Sequence, residues 1–362
     1  MALSIFIFFI ILSILILIHE LGHYLVAKKN NVFVEEFGLG LPPRIWGKKI
    51  GETLYSINAL PFGGFVKLLG EEEHELQGKK LPADLKKRTF ASKTHLQKAL
   101  IIVAGVTMNF ILGWGVTSYL LTQGIPVPNN TVLVEQVAKG SPAEQVGLKK
   151  GDQIVKVIEN DKSSVDIKRP EELILLTKKN AGETLKLQIK RDNNVLEKSL
   201  MARKNPPKGQ GSLGIALSSG FIEKKYSWYE APYYGLIQSF TFTKLIAQEL
   251  LGTLYKFITF QKVNVDVAGP VGIALITNDA VQVGSKAVLQ LLSILSFNLA
   301  IVNILPFPAL DGGRLALIVY EAVTRKKVNT KVEQKLNMIG FAILITLIIT
   351  ITINDIVKLI FK

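Results

Sequence analysis

A chain that places His19-Glu20-Leu21-Gly22-His23 at the end of an uncharged run has few folds open to it. Residues 3–18 carry no charge, and the apolar character resumes at Leu21. His19, Glu20 and His23 thus fall within a segment long enough to cross a bilayer core of ~30 Å, which takes ~20 apolar residues. Lipid offers the backbone no hydrogen bonds, so such a segment must be helical. Residues four apart stack on one helix face, which aligns both imidazoles with Glu20 beside them. That is the geometry of a zinc site with a carboxylate general base. In a soluble helix the same residues would be weak evidence; ionisable groups at membrane depth are costly and point to function.

Of the 362 residues, 48% are hydrophobic, and four stretches read as spans: about 3–27, 99–121, 287–307 and 336–356. They predict an α-helical polytopic membrane protein with four transmembrane helices. An extracytoplasmic α/β domain (about 129–220) and a membrane-associated β-hairpin (about 50–69) are inserted into it. Residues 1–122 and 261–362 form the two halves of one core. Region 226–260 is apolar, but Lys244, Glu249 and Lys256 interrupt it. An amphipathic helix lying on the outer membrane surface is expected there.

Basic residues near span ends set orientation. Lys28, Lys29, Arg44, Lys48 and Lys49 follow the first span. Lys86, Lys87, Arg88, Lys93 and Lys98 precede the second, and Arg314, Arg325, Lys326, Lys327, Lys331 and Lys335 separate the last two. All face the cytoplasm if both chain ends lie outside. A cleaved signal peptide over residues 1–18 is the competing reading. It is disfavoured because no basic residue precedes Lys28 and the apolar run continues.

The net charge of +14 invites a nucleic-acid reading. Cytoplasmic loops facing anionic lipid account for most of the excess, and no basic-aromatic module is visible, so no nucleic-acid partner is expected. There is no cysteine, which removes disulfides and thiolate ligands from consideration. The remaining histidines, His74 in an acidic run and His95 in a basic one, read as solvated loop residues.

A catalytic zinc takes three protein ligands and leaves a fourth position for water. With two histidines used, the third ligand should be Asp or Glu, and Asp311 stands out in Asn303-Ile304-Leu305-Pro306-Phe307-Pro308-Ala309-Leu310-Asp311-Gly312-Gly313. The prolines break the helix, and broken backbone at membrane depth is tolerated only in protein or beside a wet cavity. The alternative is an Asp that merely caps the helix starting near Gly313. At 1.5 Å per residue, His19 and His23 lie ~24 and ~30 Å beyond Leu3, and Asp311 ~36 Å beyond Ala287 or less. These depths agree only if the first and third spans run the same way.

These two motifs, with a module between the second and third spans, resemble the site-2 protease family of intramembrane zinc metalloproteases. The likeness is closest to the bacterial regulator of sigma-E protease type, with one PDZ domain rather than two. The resemblance implies His19, His23 and Asp311 as ligands of one zinc ion per chain and Glu20 as catalytic base. It further implies cleavage of membrane-spanning protein substrates near the cytoplasmic face of the bacterial plasma membrane, in regulated intramembrane proteolysis.

Within the outer module, Ser141-Pro142 opens a short helix, residues 170–179 form another, and residues 153–158, 185–190 and 195–201 read as strands. In the PDZ-like order the carboxylate-binding loop is Gly211, Ser212, Leu213, Gly214 and Ile215, which offers backbone N–H groups to an extracytoplasmic peptide; the alternative is a glycine loop that only completes the fold. Residues 54–58 and 65–68 flank a glycine-rich turn, read as a hairpin. Its exposed edge, with Gly63, Gly64 and Phe65, would hold an opened substrate strand. Asn303 would clamp the same strand through its amide. A plain structural hairpin and an Asn bonding a neighbouring helix remain the alternatives. The rival for the whole chain is a non-catalytic membrane scaffold with a structural metal, which needs a fourth ligand that neither motif supplies.

Overall fold

Long apolar runs fold as helices here because a helix satisfies its own backbone. The computed structural model describes residues 2–71, 81–159, 163–192, 194–207, 209–259 and 268–360; His74 and Asn193 lie outside them. The chain divides into one unit of residues 1–122 and 227–362 and a second of residues 123–226.

The first unit opens with α1 (Ala2–Lys29), ending in Lys28 and Lys29. Then come β1 (Val34–Ile50), β2 (Thr53–Leu68), α2 (Ala83–Lys87), a 3-10 turn at Phe90–Ser92 and α3 (His95–Gln123). The second unit holds β3 (Ile125–Val137), α4 (Pro142–Gln145), β4 (Gln153–Ile158), β5 (Ser164–Asp166), α5 (Pro170–Lys179), β6 (Thr184–Arg191), β7 (Asn194–Met201) and β8 (Ile215–Lys224). The chain returns to the first unit with α6 (Ala231–Ile258), α7 (Pro270–Val283), α8 (Ser285–Ile304), α9 (Asp311–Thr324) and α10 (Thr330–Ile360). Among the described residues, four helices are long and apolar enough to cross a membrane: α1, α3, α8 and α10. They lie where the apolar runs predict spans. The third ends at Ile304, because Pro306 cannot continue it.

The helices of the first unit fix one direction. Ser4, at the start of α1, donates to Asn278 Oδ1 of α7 (2.8 Å). Further along, Ile11 and Leu15 pack with Leu291 and Leu292 of α8. At the far end His19 and His23 meet Asp311, just beyond α8. Thus α1 and α8 run the same way, as the depth argument requires. At the opposite end, the buried Asp355 of α10 accepts N–H groups from Gly269 and Gly272 (2.9 and 2.8 Å), supplying acceptors to the first turn of α7.

The helix α6 covers the residues expected to lie on the outer surface. Its N-terminal part packs on α3 and α8: Trp114 Nε1 donates to Pro232 O (2.8 Å), and Phe240 and Phe242 meet Phe110 and Phe297 at ring distances of 5.2 and 6.4 Å. Aromatic contacts join this part to the helix assembly, although Phe240 stays exposed, as do Leu245, Leu251 and Tyr255 further along.

The sheet of β1 and β2 corrects the predicted hairpin. Residues 36–39 pair with 54–57 on one side and with 64–67 on the other, so the two segments expected to be partners are separated by β1. The stretch 59–64 does reverse the chain, because 54–57 run along 36–39 and 64–67 run against it. The two arms flank β1, however, and do not pair with each other. Another reversal joins Ile50 to Thr53 at Gly51 (φ +63°). A glycine supplies this left-handed backbone without a steric penalty. Residues 64–68 are left at an edge of the sheet among the described residues.

The second unit is a six-stranded sheet ordered β7-β6-β4-β3-β8, with β5 on β4. Its core holds Val132, Ile154, Leu185, Leu187 and Ile189, inward positions of the alternating strands, with Leu173 of α5 packed on them. Ser141 Oγ accepts the Glu144 N–H and Pro142 occupies the first turn of α4, as read from the sequence.

Candidate metal centre

Three atoms from two distant stretches of chain converge at the end of α1. His19 Nε2 and His23 Nε2 lie 3.0 and 3.2 Å from Asp311 Oδ2 and 3.2 Å from each other. A tetrahedral ion bound at ~2.0–2.1 Å separates its ligands by about 3.3 Å, so the triangle has the right size for zinc. Asp311 Oδ2 is buried and has no donor aligned on it, although it faces both imidazoles. An oxygen left in that state is costly unless a cation satisfies it. Asp311 also makes no side-chain cap at the start of α9, where the N-cap is Leu310. The capping alternative therefore fails, and the residues present fit a metal.

The helix α3 supports this cluster at a four-residue spacing. Ile101 O accepts from His23 Nδ1 (2.8 Å), and the Asn109 amide stands 3.2 Å from His19 Nδ1. Between them, Gly105 leaves no room for a side chain: a Cβ there would stand 2.3 Å from His23 Nε2. Gly22 of α1 similarly lies against Ala104 O, with a Cβ 2.3 Å away. Small residues let the two helices approach to backbone contact. The Pro-containing connection is held in the same manner, since Gly312 lies against the Leu305 carbonyl and Gly340 of α10 against that of Pro308.

Beside the cluster is a cavity of about 380 Å³, lined by His19, Glu20, His23, Asp311, Arg314 and the sheet edge from Phe65 to Leu68. Gly64 sits directly over Glu20, whose Cγ would be 3.3 Å from a Cβ at that position. Phe65 lines the cavity, while Gly63 (φ +91°) turns the strand against Leu41. Asn303 Nδ2 lies 3.4 Å from His19 Nε2. Glu71 and Arg314 pair at the cavity wall.

Of the residues expected from the sequence, His19, Glu20, His23, Asp311, Asn303, Gly64 and Phe65 come together, with Gly63 one step behind. The loop of Gly211, Ser212, Leu213, Gly214 and Ile215 belongs to the second unit. It forms a tight turn in which the Gly214 N–H donates to Gly211 O (3.0 Å), and Ser212 and Leu213 are buried. Ile101, Gly105 and Asn109 escaped the sequence reading, because an apolar run gives no reason to single them out. Their matching four-residue step to the histidines was the available signal.

A model of peptidase family M50 matches residues 7–347. A Clostridium perfringens protein provisionally named zinc metalloprotease CPE1693 is 35% identical, covering 95% of this chain and 96% of its own. The regulator of sigma-W protease RasP from Bacillus subtilis is 30% identical, over 97% of this chain and 98% of its own. The zinc metalloprotease RasP from Shouchella clausii is 29% identical, with 97% and 98% covered. A peptidase match spanning both the α1 histidines and Asp311 agrees with three ligand atoms at zinc spacing, and on these grounds the chain belongs to peptidase family M50, the site-2 protease family.

Proposed function

We propose that this multi-pass membrane protein is an intramembrane zinc metalloendopeptidase that hydrolyses peptide bonds within the transmembrane segments of single-span proteins. The observation that carries this reading is the meeting of His19, His23 and Asp311 at 3.0–3.2 Å beside the strand edge 65–68. Imidazole and carboxylate donors without thiolates suit Zn²⁺. Among the described residues the cluster has three ligands, which leaves a position for water and disfavours a structural metal in a mere scaffold.

When bound, zinc supplies Lewis-acid polarisation of the scissile carbonyl and of the attacking water. Glu20, on the next position of the same helix, takes the proton from that water and delivers it to the leaving amine. A spanning substrate hides its peptide bonds in a helix, so it must open before it can react. The edge at Gly64 and Phe65 receives the opened segment as an added strand, replacing the lost backbone hydrogen bonds. Asn303 clamps that strand from the opposite side with an amide that both donates and accepts.

The basic residues Lys28 and Lys29 at the metal end of α1 support a cytoplasmic-side active site with both termini outside. The sheet domain is read as PDZ-like. Its edge strand β8 begins at the loop 211–215, an arrangement suited to a peptide added along β8. The name of the Bacillus subtilis relative ties that protein to sigma-W regulation. Anti-sigma factors, along with remnant signal peptides, are the substrate classes we put forward, in regulated intramembrane proteolysis.

The test is Glu20→Gln in full-length protein reconstituted with zinc and a panel of single-span substrates. Zinc content should be unchanged and cleavage should fall by about 10²–10⁴-fold, the range of a lost general base. Turnover at the wild-type rate would refute the role of Glu20 and, with it, this reading.

A further inference from the structure

Asn109 is fully buried in the middle of α3, and its Oδ1 has no hydrogen-bond partner. A buried amide oxygen left unpaired is expensive and calls for an explanation. Its Nδ2 lies 3.2 Å from His19 Nδ1. With the amide turned that way, His19 Nδ1 must accept, which puts the ring proton on Nε2. An N–H would then point at His23 Nε2 and Asp311 Oδ2, and His19 could not act as a ligand.

Amide oxygen and nitrogen have nearly the same shape, so the hydrogen-bond network decides which faces the ring. Turning the amide by half a rotation brings Oδ1 to the position 3.2 Å from His19 Nδ1. The orphaned oxygen then gains a donor, and the Nε2 lone pair is directed at the centre of the triangle. His23 is already held in this manner, with Nδ1 against Ile101 O at 2.8 Å and Nε2 toward Asp311. One face of α3 thus addresses both rings, and each supported nitrogen is Nδ1.

We propose that Asn109 is a positioning residue of the metal centre: its side-chain oxygen accepts the Nδ1–H of His19 and holds that ring in the tautomer whose Nε2 binds the ion. The inference rests on the zinc-site reading above. Partners of this kind orient a ligand and raise its basicity, and their loss costs about 10–100-fold in metal affinity. The backbone at this position is anchored independently of the side chain, because Ser296 Oγ donates to Asn109 O (2.7 Å).

The experiment measures zinc affinity by chelator competition on full-length, detergent-purified protein, together with the melting temperature of the metal-free form. Asn109→Ala removes the acceptor. Asn109→Asp keeps an acceptor of the same shape and, when ionised, cannot donate. His19→Ala is the control for the site itself. The expected result is a 10–100-fold loss of zinc affinity in Asn109→Ala, an affinity within a few-fold of wild type in Asn109→Asp, and the same metal-free melting temperature in both. Wild-type affinity in Asn109→Ala overturns the proposal. Should Asn109→Ala fail to fold, Asn109→Asp decides: zinc retention supports the acceptor role, and a loss as large as in His19→Ala overturns it. Retention of zinc by His19→Ala would instead bring down the metal-site reading, which separates the two failures.

Discussion

At the scale of single residues, space matters as much as chemistry. A methyl group on Gly105 would stand 2.3 Å from His23 Nε2 and 2.8 Å from His19 Cε1, closer than non-bonded atoms approach. Gly105→Ala is therefore expected to displace both imidazoles and weaken zinc binding by about tenfold or more, on the scale of other supporting contacts. Gly115→Ala, on the same helix with nothing within 4 Å, is the matched control. It should leave zinc binding alone and stabilise the helix by up to about 1 kcal/mol. Equal zinc affinity in the two variants would contradict the packing argument. The histidines and Asp311 were legible in the sequence because polar groups stand out against an apolar run. Gly105 and Ile101 were not, since what they supply is an absent side chain and a main-chain carbonyl.

At the scale of elements, one carboxylate links the turn between β1 and β2 to α1 and to Arg88. Glu52, in the turn beside Gly51, accepts from Arg88 (2.6 Å) and from Lys28 at the end of α1 (2.5 Å). Its hydrogen bonds to Arg88 and then Lys28 hold its pKa down at about 2. A carboxylate whose pKa is depressed in the folded state adds stability above its unfolded value of ~4.3 and loses that contribution as pH falls toward the folded value. Glu52→Gln should accordingly be less stable than wild type by a constant, modest amount above about pH 5, because the pair is partly exposed. The two stability curves should converge between about pH 4.3 and 2. Curves that stay parallel through acid would exclude this role. Spans α1, α3, α8 and α10 followed directly from apolar run length. The strand β1 did not, because Gly38, Gly40, Pro42, Pro43 and Gly47 read as breakers of regular structure. The turn around Gly63-Gly64 was legible, but its place beside Glu20, where a small residue admits close approach, was not.

At the scale of the whole molecule, every residue of the candidate metal centre belongs to the unit of residues 1–122 and 227–362. Replacing residues 123–226 by a short Gly-Ser linker should leave a folded protein with one zinc per chain and unchanged zinc affinity. Altered cleavage across a substrate panel would then report what the sheet domain contributes to selection. Loss of zinc in the deletion variant would show that the two units are not energetically separate. The order of elements in that domain was largely visible beforehand, since β-strand alternation and the Ser141 cap are local signals. The pairing of 36–39 with two partners at once is a non-local property that no short window encodes. The bare backbone at Gly22 and Gly105 has a last consequence. With no padding between α1 and α3, the gap between the two helices serves as a gauge for bonds only about 2 Å long. One added carbon is wider than the tolerance of such bonds, so this part of the protein must behave as a fixed jig. Whatever movement admits a reactant has to be taken up elsewhere, in the strands.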